Sequence, residues 1–196
     1  MEMENVNVSK MMKQLQKDLD AKRYEHTLGV AYTAASLAMR YGVSVNKAFI
    51  AGLLHDCAKC YDDDKKLALC KKYSVKLSSY EKENTSLIHA KLGAAIAKEK
   101  YDIDDEEILE AIRWHTTGKE DMNLIEKIVF SADYIEPGRK MILGLEEIRA
   151  TIFMDLDKAI YLILLNTIKH LEGKKQPIDD GSLRAYTFYK DLYESR

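Results

Sequence analysis

Apolar residues recur along this chain at helical spacing, and no segment sustains the two-residue alternation of β-branched side chains, bounded by turn residues, that a half-buried strand needs. Only two prolines, Pro137 and Pro177, interrupt that period. The expected fold is therefore all-α.

Caps and stops divide the helices. Ser9 is expected to cap a short first helix, and a second is expected from about Arg23 to Tyr41, with Val30, Ala34, Leu37 and Tyr41 on one stripe and Gly42 as its stop. Ser44 or Asn46 caps the helix that carries His55-Asp56, and Asp62 or Asp63 a more polar, peripheral one through Tyr73. Asn84 is expected to open the next helix, Asp104 with its acidic followers the one after, and Asn123 the segment LIEKIVFSADYIE, which Pro137-Gly138 ends. A helix from Asp155 to Leu171 and an aromatic-rich one from Ser182 complete the chain. Without a repeat, a low-complexity tract or a linker, residues 1–196 read as a single domain.

The stripes carry groups that an apolar bundle has no packing reason to turn inward. The run AFIAGLLHDCAKC, Ala48 to Cys60, suits a buried helix yet ends in an imidazole and a carboxylate side by side. Burying an ionised carboxylate without a partner costs several kcal/mol, so His55 and Asp56 call for a cation. His26 lies one turn before Val30; His89 heads the stripe of Leu92, Gly93, Ile96 and Ala97; His115 closes that of Ile108, Ala111 and Ile112; Asp133 lies one turn beyond Val129. Taken singly, each is more readily a hydrogen-bonded core residue. Together, from five helices, they are explained by shared coordination of a divalent metal. His170, in the last turn of its helix, is left outside this set because a helix end already accounts for it.

Composition narrows what such a site can serve. A formal net charge of -2 gives no global basic field to hold nucleic acid, although local Lys or Arg can grip small anions. No apolar run approaches a membrane span, and the opening MEMENVNVSK lacks the basic flank and apolar core of a secretory leader, so the expected location is the cytoplasm. Cys57, Cys60 and Cys70 are odd in number and read as reduced thiols; Cys57-Ala-Lys-Cys60 lacks the preceding strand of a redox motif and the second pair of a zinc knuckle.

The order His26, His55-Asp56, His89, His115, Asp133 resembles the HD-domain metal-dependent phosphohydrolases. The blocks RYEHTLGVA, AGLLHDCAK, IHAKLGA, AIRWHTTG and SADYIEPGR are similar to those of the bacterial YqeK-type branch, symmetrical bis(5'-nucleosyl)-tetraphosphatases that act on diadenosine tetraphosphate. The resemblance implies an HD-type helical bundle with a metal-binding core at about 22–139 and C-terminal helices at about 144–196 packed on it. It also implies that His26, His55, Asp56 and Asp133 bind a first metal, with His89 and His115 completing a second site or facing the substrate. The implied metal is iron, in one or two ions; nitrogen and oxygen donors also accept manganese, nickel, cobalt or zinc. The family's C-terminal Pro-x-Thr-Leu-x-x-Arg-Asn is replaced here by Pro177-Ile-Asp-Asp-Gly-Ser-Leu-Arg184-Ala, in which Arg184 is the residue expected to keep a substrate-binding role.

The expected reaction is symmetrical hydrolysis of diadenosine tetraphosphate to two ADP by metal-activated water. Catalysis is assigned to Asp56, Lys59, His89 and His115. Substrate contacts are assigned to Lys59, His89, His115, Thr116, Arg139 and Arg184, and Arg23 is a further candidate for phosphate. Two other classes fit the same residues: a phosphohydrolase of another nucleotide, such as a nucleoside monophosphate or a cyclic nucleotide, and a nucleotide-binding sensor with little turnover. Helical faces rich in Tyr and Leu near the C-terminus are compatible with a homodimer.

Overall fold

A computed structural model describes residues 7–195, which form eleven α-helices and one 3-10 turn, with no strand among the described residues. The all-α expectation holds. The central bundle is made of α2 (Ala21–Tyr41), α3 (Val45–Leu54), α6 (Ile88–Tyr101), α7 (Glu106–Trp114) and α8 (Leu124–Ile135). Helix α2 packs on α3 and α8, while α7 packs on α3, α6 and α8. Its interior is filled by fully buried aliphatic side chains such as Leu37, Ile50, Leu53, Leu92, Ile112 and Ile128.

One approach in this bundle requires a glycine. Gly52 of α3 lies against α2 so closely that an added Cβ would stand 3.0 Å from the Cα of Ala31 and 3.2 Å from the backbone oxygen of Val30. That backbone cannot give way as a side chain would, so Gly52 sets the separation of the helices that carry His26 and His55.

The remaining helices cover the bundle. Helix α1 (Val8–Asp18) packs on α2, whereas α9 (Leu145–Thr151) and α10 (Leu156–Gly173) pack on α8, and α11 (Asp180–Glu194) packs on α10. The apolar core runs without a break from Met11 to Tyr189. Tyr189 anchors α11: it is fully buried, and its hydroxyl accepts the backbone N–H of Met122 at 3.1 Å. The turn that follows Gly118 is thereby tied to the C-terminal helix. No helix among the described residues is long and apolar enough to cross a membrane.

Several boundaries differ from expectation, each for a capping reason. Asn7, not Ser9, caps α1, accepting from the Lys10 N–H at 2.9 Å. Ser44 rather than Asn46 caps α3, and Asp62 rather than Asp63 caps α4 (Asp63–Lys72). Helix α4 is less peripheral than its polarity suggests, since Lys66 and Cys70 are buried. Asn84 does not open α6: Ser78 and Glu81 form a capping box that nucleates the short α5 (Ser79–Glu83), and a 3-10 turn over Thr85–Leu87 then leads into Ile88. Asp105, in place of Asp104, receives the N–H groups of Glu107 and Ile108, and Asp179 caps α11, which starts two residues before Ser182. Helix α9, absent from the expectation, begins after Gly144, whose φ of 80° is a left-handed turn.

Candidate metal centre

His26 projects from α2 and Asp133 from the last turn of α8, whereas the other four inward groups sit at helix ends. Helix α3 stops at Leu54, so His55 is its C-terminal cap and Asp56 begins a series of tight turns, marked by the Cys57 N–H to Leu54 oxygen and Lys59 N–H to Asp56 oxygen bonds of 3.1 and 2.9 Å. His89 is the second residue of α6, and His115 caps the end of α7. Five elements thus deliver six donors to one point.

Asp56 stands at the centre. Its Oδ2 lies 3.5 Å from Nε2 of His55 and 3.9 Å from Nε2 of His26, while its Oδ1 lies 3.3 Å from Nε2 of His89 and 3.6 Å from Nε2 of His115. Asp133 closes the first side, with Oδ1 at 3.0 Å from Nε2 of His26 and 3.8 Å from Nε2 of His55. Three overlapping groups, His26/His55/Asp56, His55/His115/Asp133 and Asp56/His89/His115, each keep their donor atoms within 4.8 Å of one another.

The hydrogen bonds around the rings decide what these nitrogens offer. Nδ1 of His55, His89 and His115 points at the backbone oxygen three residues earlier, Gly52, Ser86 and Ile112, at 2.6, 2.6 and 2.7 Å. A carbonyl only accepts, so each Nδ1 carries hydrogen and, in the neutral ring, Nε2 presents its lone pair to the cluster. Nε2 of His26, Nε2 of His55 and Oδ1 of Asp56 are buried with no hydrogen-bond partner. The Nε2 atoms of His89 and His115 face each other at 3.2 Å. The unpartnered atoms of His26, His55 and Asp56 are unfavourable in a dry interior unless a cation sits among them, so the set fits a divalent metal.

Both carboxylates of the centre are held ionised. Burial pushes the Asp56 carboxyl up, but His55, His115 and His89 beside it outweigh this and hold it well below the usual carboxylate range. Burial opposes the charged form of His55, yet neighbouring Asp56 raises its pKa overall. Burial, with His115 and Lys59 close by, drives His89 well down and keeps its ring neutral. Asp133 is depressed as well, because His26, His55 and Arg139 overcome its desolvation.

Cationic and polar side chains ring this centre. Arg23 bonds Oδ2 of Asp56 at 2.7 Å, and Lys59 brings its Nζ to 3.1 Å from Nε2 of His89, with burial lowering its pKa. Arg139 holds Asp133 through Oδ1 at 2.8 Å and through the backbone oxygen at 2.7 Å. The hydroxyl of Thr116 lies 3.2 and 3.1 Å from the Nε2 atoms of His89 and His115. Arg184 is not brought to the cluster: it pairs with Glu120 at 3.3 Å and lines a recess of about 520 Å³ together with Leu87, Trp114 and Thr117. His170 is exposed in the last turn of α10, outside the site.

Sequence reasoning missed one member. Glu136, buried at the end of α8, places Oε1 at 3.0 Å from Nδ1 of His26. The available signal was its position three residues after Asp133, on the same helix face.

Comparison with known proteins agrees with this architecture. The HD domain family matches residues 23–138. The chain is 41% identical over 183 residues to a symmetrical bis(5'-nucleosyl)-tetraphosphatase of Halalkalibacterium halodurans, covering 92% of this chain and 96% of that protein. A Staphylococcus aureus protein of the same description is 38% identical, with 94% and 95% covered. Among solved structures, a Clostridium acetobutylicum protein described as a predicted HD superfamily hydrolase involved in NAD metabolism superposes with a TM-score of 0.90 at 39% identity, covering 94% of this chain and 97% of that one.

Proposed function

Because the chain belongs to the HD domain family, a family of metal-dependent phosphohydrolases, we propose that it hydrolyses diadenosine tetraphosphate symmetrically to two ADP. The observation that carries this reading is the buried ring of unpartnered lone pairs on His26, His55 and Asp56, placed among Arg23, Lys59 and Arg139. Full-length similarity to two tetraphosphatases supplies the substrate class.

In this reading His26, His55, Asp56 and Asp133 hold one ion, and Asp56 also faces His89 and His115, which hold a second ion or contact phosphate. Iron is the metal we propose. A divalent ion in this set supplies Lewis acidity, activating a water and screening phosphate oxygens. The chain's own groups do the rest. Asp56 fixes the centre by offering one oxygen to each side. Arg139 and Arg23 present guanidinium forks to phosphate oxygens, and Thr116 adds a hydroxyl. Water adds in line to one of the two central phosphorus atoms, the bridging P–O bond between them breaks, and a proton from water is released. Lys59 stabilises the departing ADP as its charge develops, and Arg184 serves the nucleoside end from the neighbouring recess.

The same reading takes residues 1–196 as one HD-type domain that acts in the cytoplasm on a small nucleotide rather than on nucleic acid, as a homodimer. Its near-neutral net charge of -2 supports the small-nucleotide substrate, and its three unpaired cysteines support the location. Stacking of Tyr161 with Tyr186 and Tyr193 at 5.9 and 5.3 Å gives α10 and α11 a common aromatic face for a second copy.

The test is anaerobic incubation of the ferrous-loaded protein with diadenosine tetraphosphate and separation of the products. ADP alone is expected. ATP plus AMP overturns the symmetrical assignment, and tight binding without product overturns hydrolysis itself.

A further inference from the structure

Four histidine rings face the centre, but they are not held alike. His55, His89 and His115 each lean on a carbonyl only three residues back, within α3 and α7 for His55 and His115 and in the 3-10 turn before α6 for His89. His26 has no such support. Its Nδ1 is met at 3.0 Å by a carboxylate 110 positions away in the chain, that of Glu136.

The surroundings of Glu136 are built around that contact. Its second oxygen, Oε2, accepts the Gly138 N–H at 2.5 Å. Its backbone oxygen is held by Arg149 at 2.8 Å, while the same guanidinium bonds the Ile135 oxygen at 2.9 Å, so the end of α8 is pinned from outside. Gly29, one turn after His26, leaves the room the carboxylate occupies: a Cβ there would stand 2.6 Å from Oε2. Glu136 itself is 3% exposed. A carboxylate only accepts, so with Oε2 engaged by a backbone N–H, Oε1 stabilises the His26 tautomer that carries hydrogen on Nδ1.

We propose that Glu136 is a positioning residue for the metal, orienting His26 and fixing it in the tautomer whose Nε2 lone pair faces Asp133 and the ion. The claim rests on the reading of His26 as a ligand and deepens it. The carboxylate does two things that a carbonyl does less well: it makes the imidazole a stronger donor, and it holds the ring from α8, the helix that also supplies Asp133. His26 and Asp133 are thereby set as one unit across the α2–α8 contact.

Glu136→Gln separates charge from shape. Its amide has one oxygen, which serves either His26 or the Gly138 N–H; in the second case the NH₂ faces Nδ1 and favours the opposite tautomer. The experiment measures affinity for Co²⁺ alone, by competition with a chelator, in wild type and in the His26→Ala, Glu136→Ala and Glu136→Gln variants. Nitrogen-15 spectra of the metal-free proteins report the His26 tautomer. Loss of roughly 10- to 100-fold in affinity for both Glu136 variants is expected, as for other outer partners of metal-bound histidine, together with a tautomer shift in Glu136→Gln. If His26→Ala weakens binding while both Glu136 variants match wild type in affinity and tautomer, the positioning role is overturned and the metal site stands. If His26→Ala itself binds like wild type, the ligand assignment fails and the proposal with it. Glu136→Gln is nearly isosteric, so the test survives should Glu136→Ala fail to fold.

Discussion

Nζ of Lys59 lies 3.1 Å from Nε2 of His89, in a setting where burial lowers the ammonium pKa and drives the imidazole well down. Two nitrogens that would repel if both were charged are thus brought together with one proton-bearing and one neutral. The pair sits on the side of Asp56 that faces away from His26.

That placement separates metal retention from turnover. Lys59→Met is expected to keep bound metal at the wild-type stoichiometry and to lower kcat by roughly 100-fold, as removal of one preorganised charge from a reacting phosphate does. Metal analysis beside steady-state rates checks it. Wild-type kcat would remove Lys59 from the reaction.

Asp56→Ala removes the oxygens that face all four imidazoles. The expected result is loss of metal and of hydrolysis together, with rates below detection even when metal is added in excess. Turnover at the wild-type rate would sink the placement of the site.

Tyr189 gives a prediction about pH. Burial pushes its phenol well above the ordinary value near 10, so the folded protein keeps the proton where the unfolded chain begins to lose it. The associated stability is complete below pH of about 10 and falls as pH rises beyond it. Tyr189→Phe is expected to cost about 1–3 kcal/mol at neutral pH, because the buried Met122 N–H loses its acceptor. Urea melts should show the gap between wild type and variant narrowing above pH of about 10. A constant gap would contradict the burial argument.

Gly52→Ala tests the helix contact beneath the site. With the new Cβ at 3.0 Å from the Ala31 Cα, α2 and α3 must separate, at a cost of about 1–3 kcal/mol in thermal or urea unfolding. Unchanged stability would mean that the two backbones have slack there.

What the sequence disclosed was tied to periodicity. The all-α architecture was legible because long amphipathic stripes announce helices, and His26, His55, Asp56, His89, His115 and Asp133 were legible because each breaks a stripe on its buried side. Short elements were not: α5 spans five residues and depends on the Ser78–Glu81 capping box, a local bond with no stripe behind it. Glu136 was hidden for another reason. Beside Pro137 and Gly138 it reads as an ordinary helix end, and its partner is in α2, which no local pattern indicates. Arg184 shows a different limit: singled out by position, it stands outside the cluster, in an exposed ion pair with Glu120 beside the neighbouring recess.

The bond between His26 and Glu136 also dates the site within the life of the molecule. It joins positions 110 apart, so in a growing chain all four histidines of the centre emerge before the carboxylate that meets the first of them. The bond therefore forms late in synthesis, once α8 has left the exit tunnel and docked on α2. A product truncated before α8 carries His26, His55, Asp56, His89 and His115 but neither Asp133 nor the carboxylate that steadies His26.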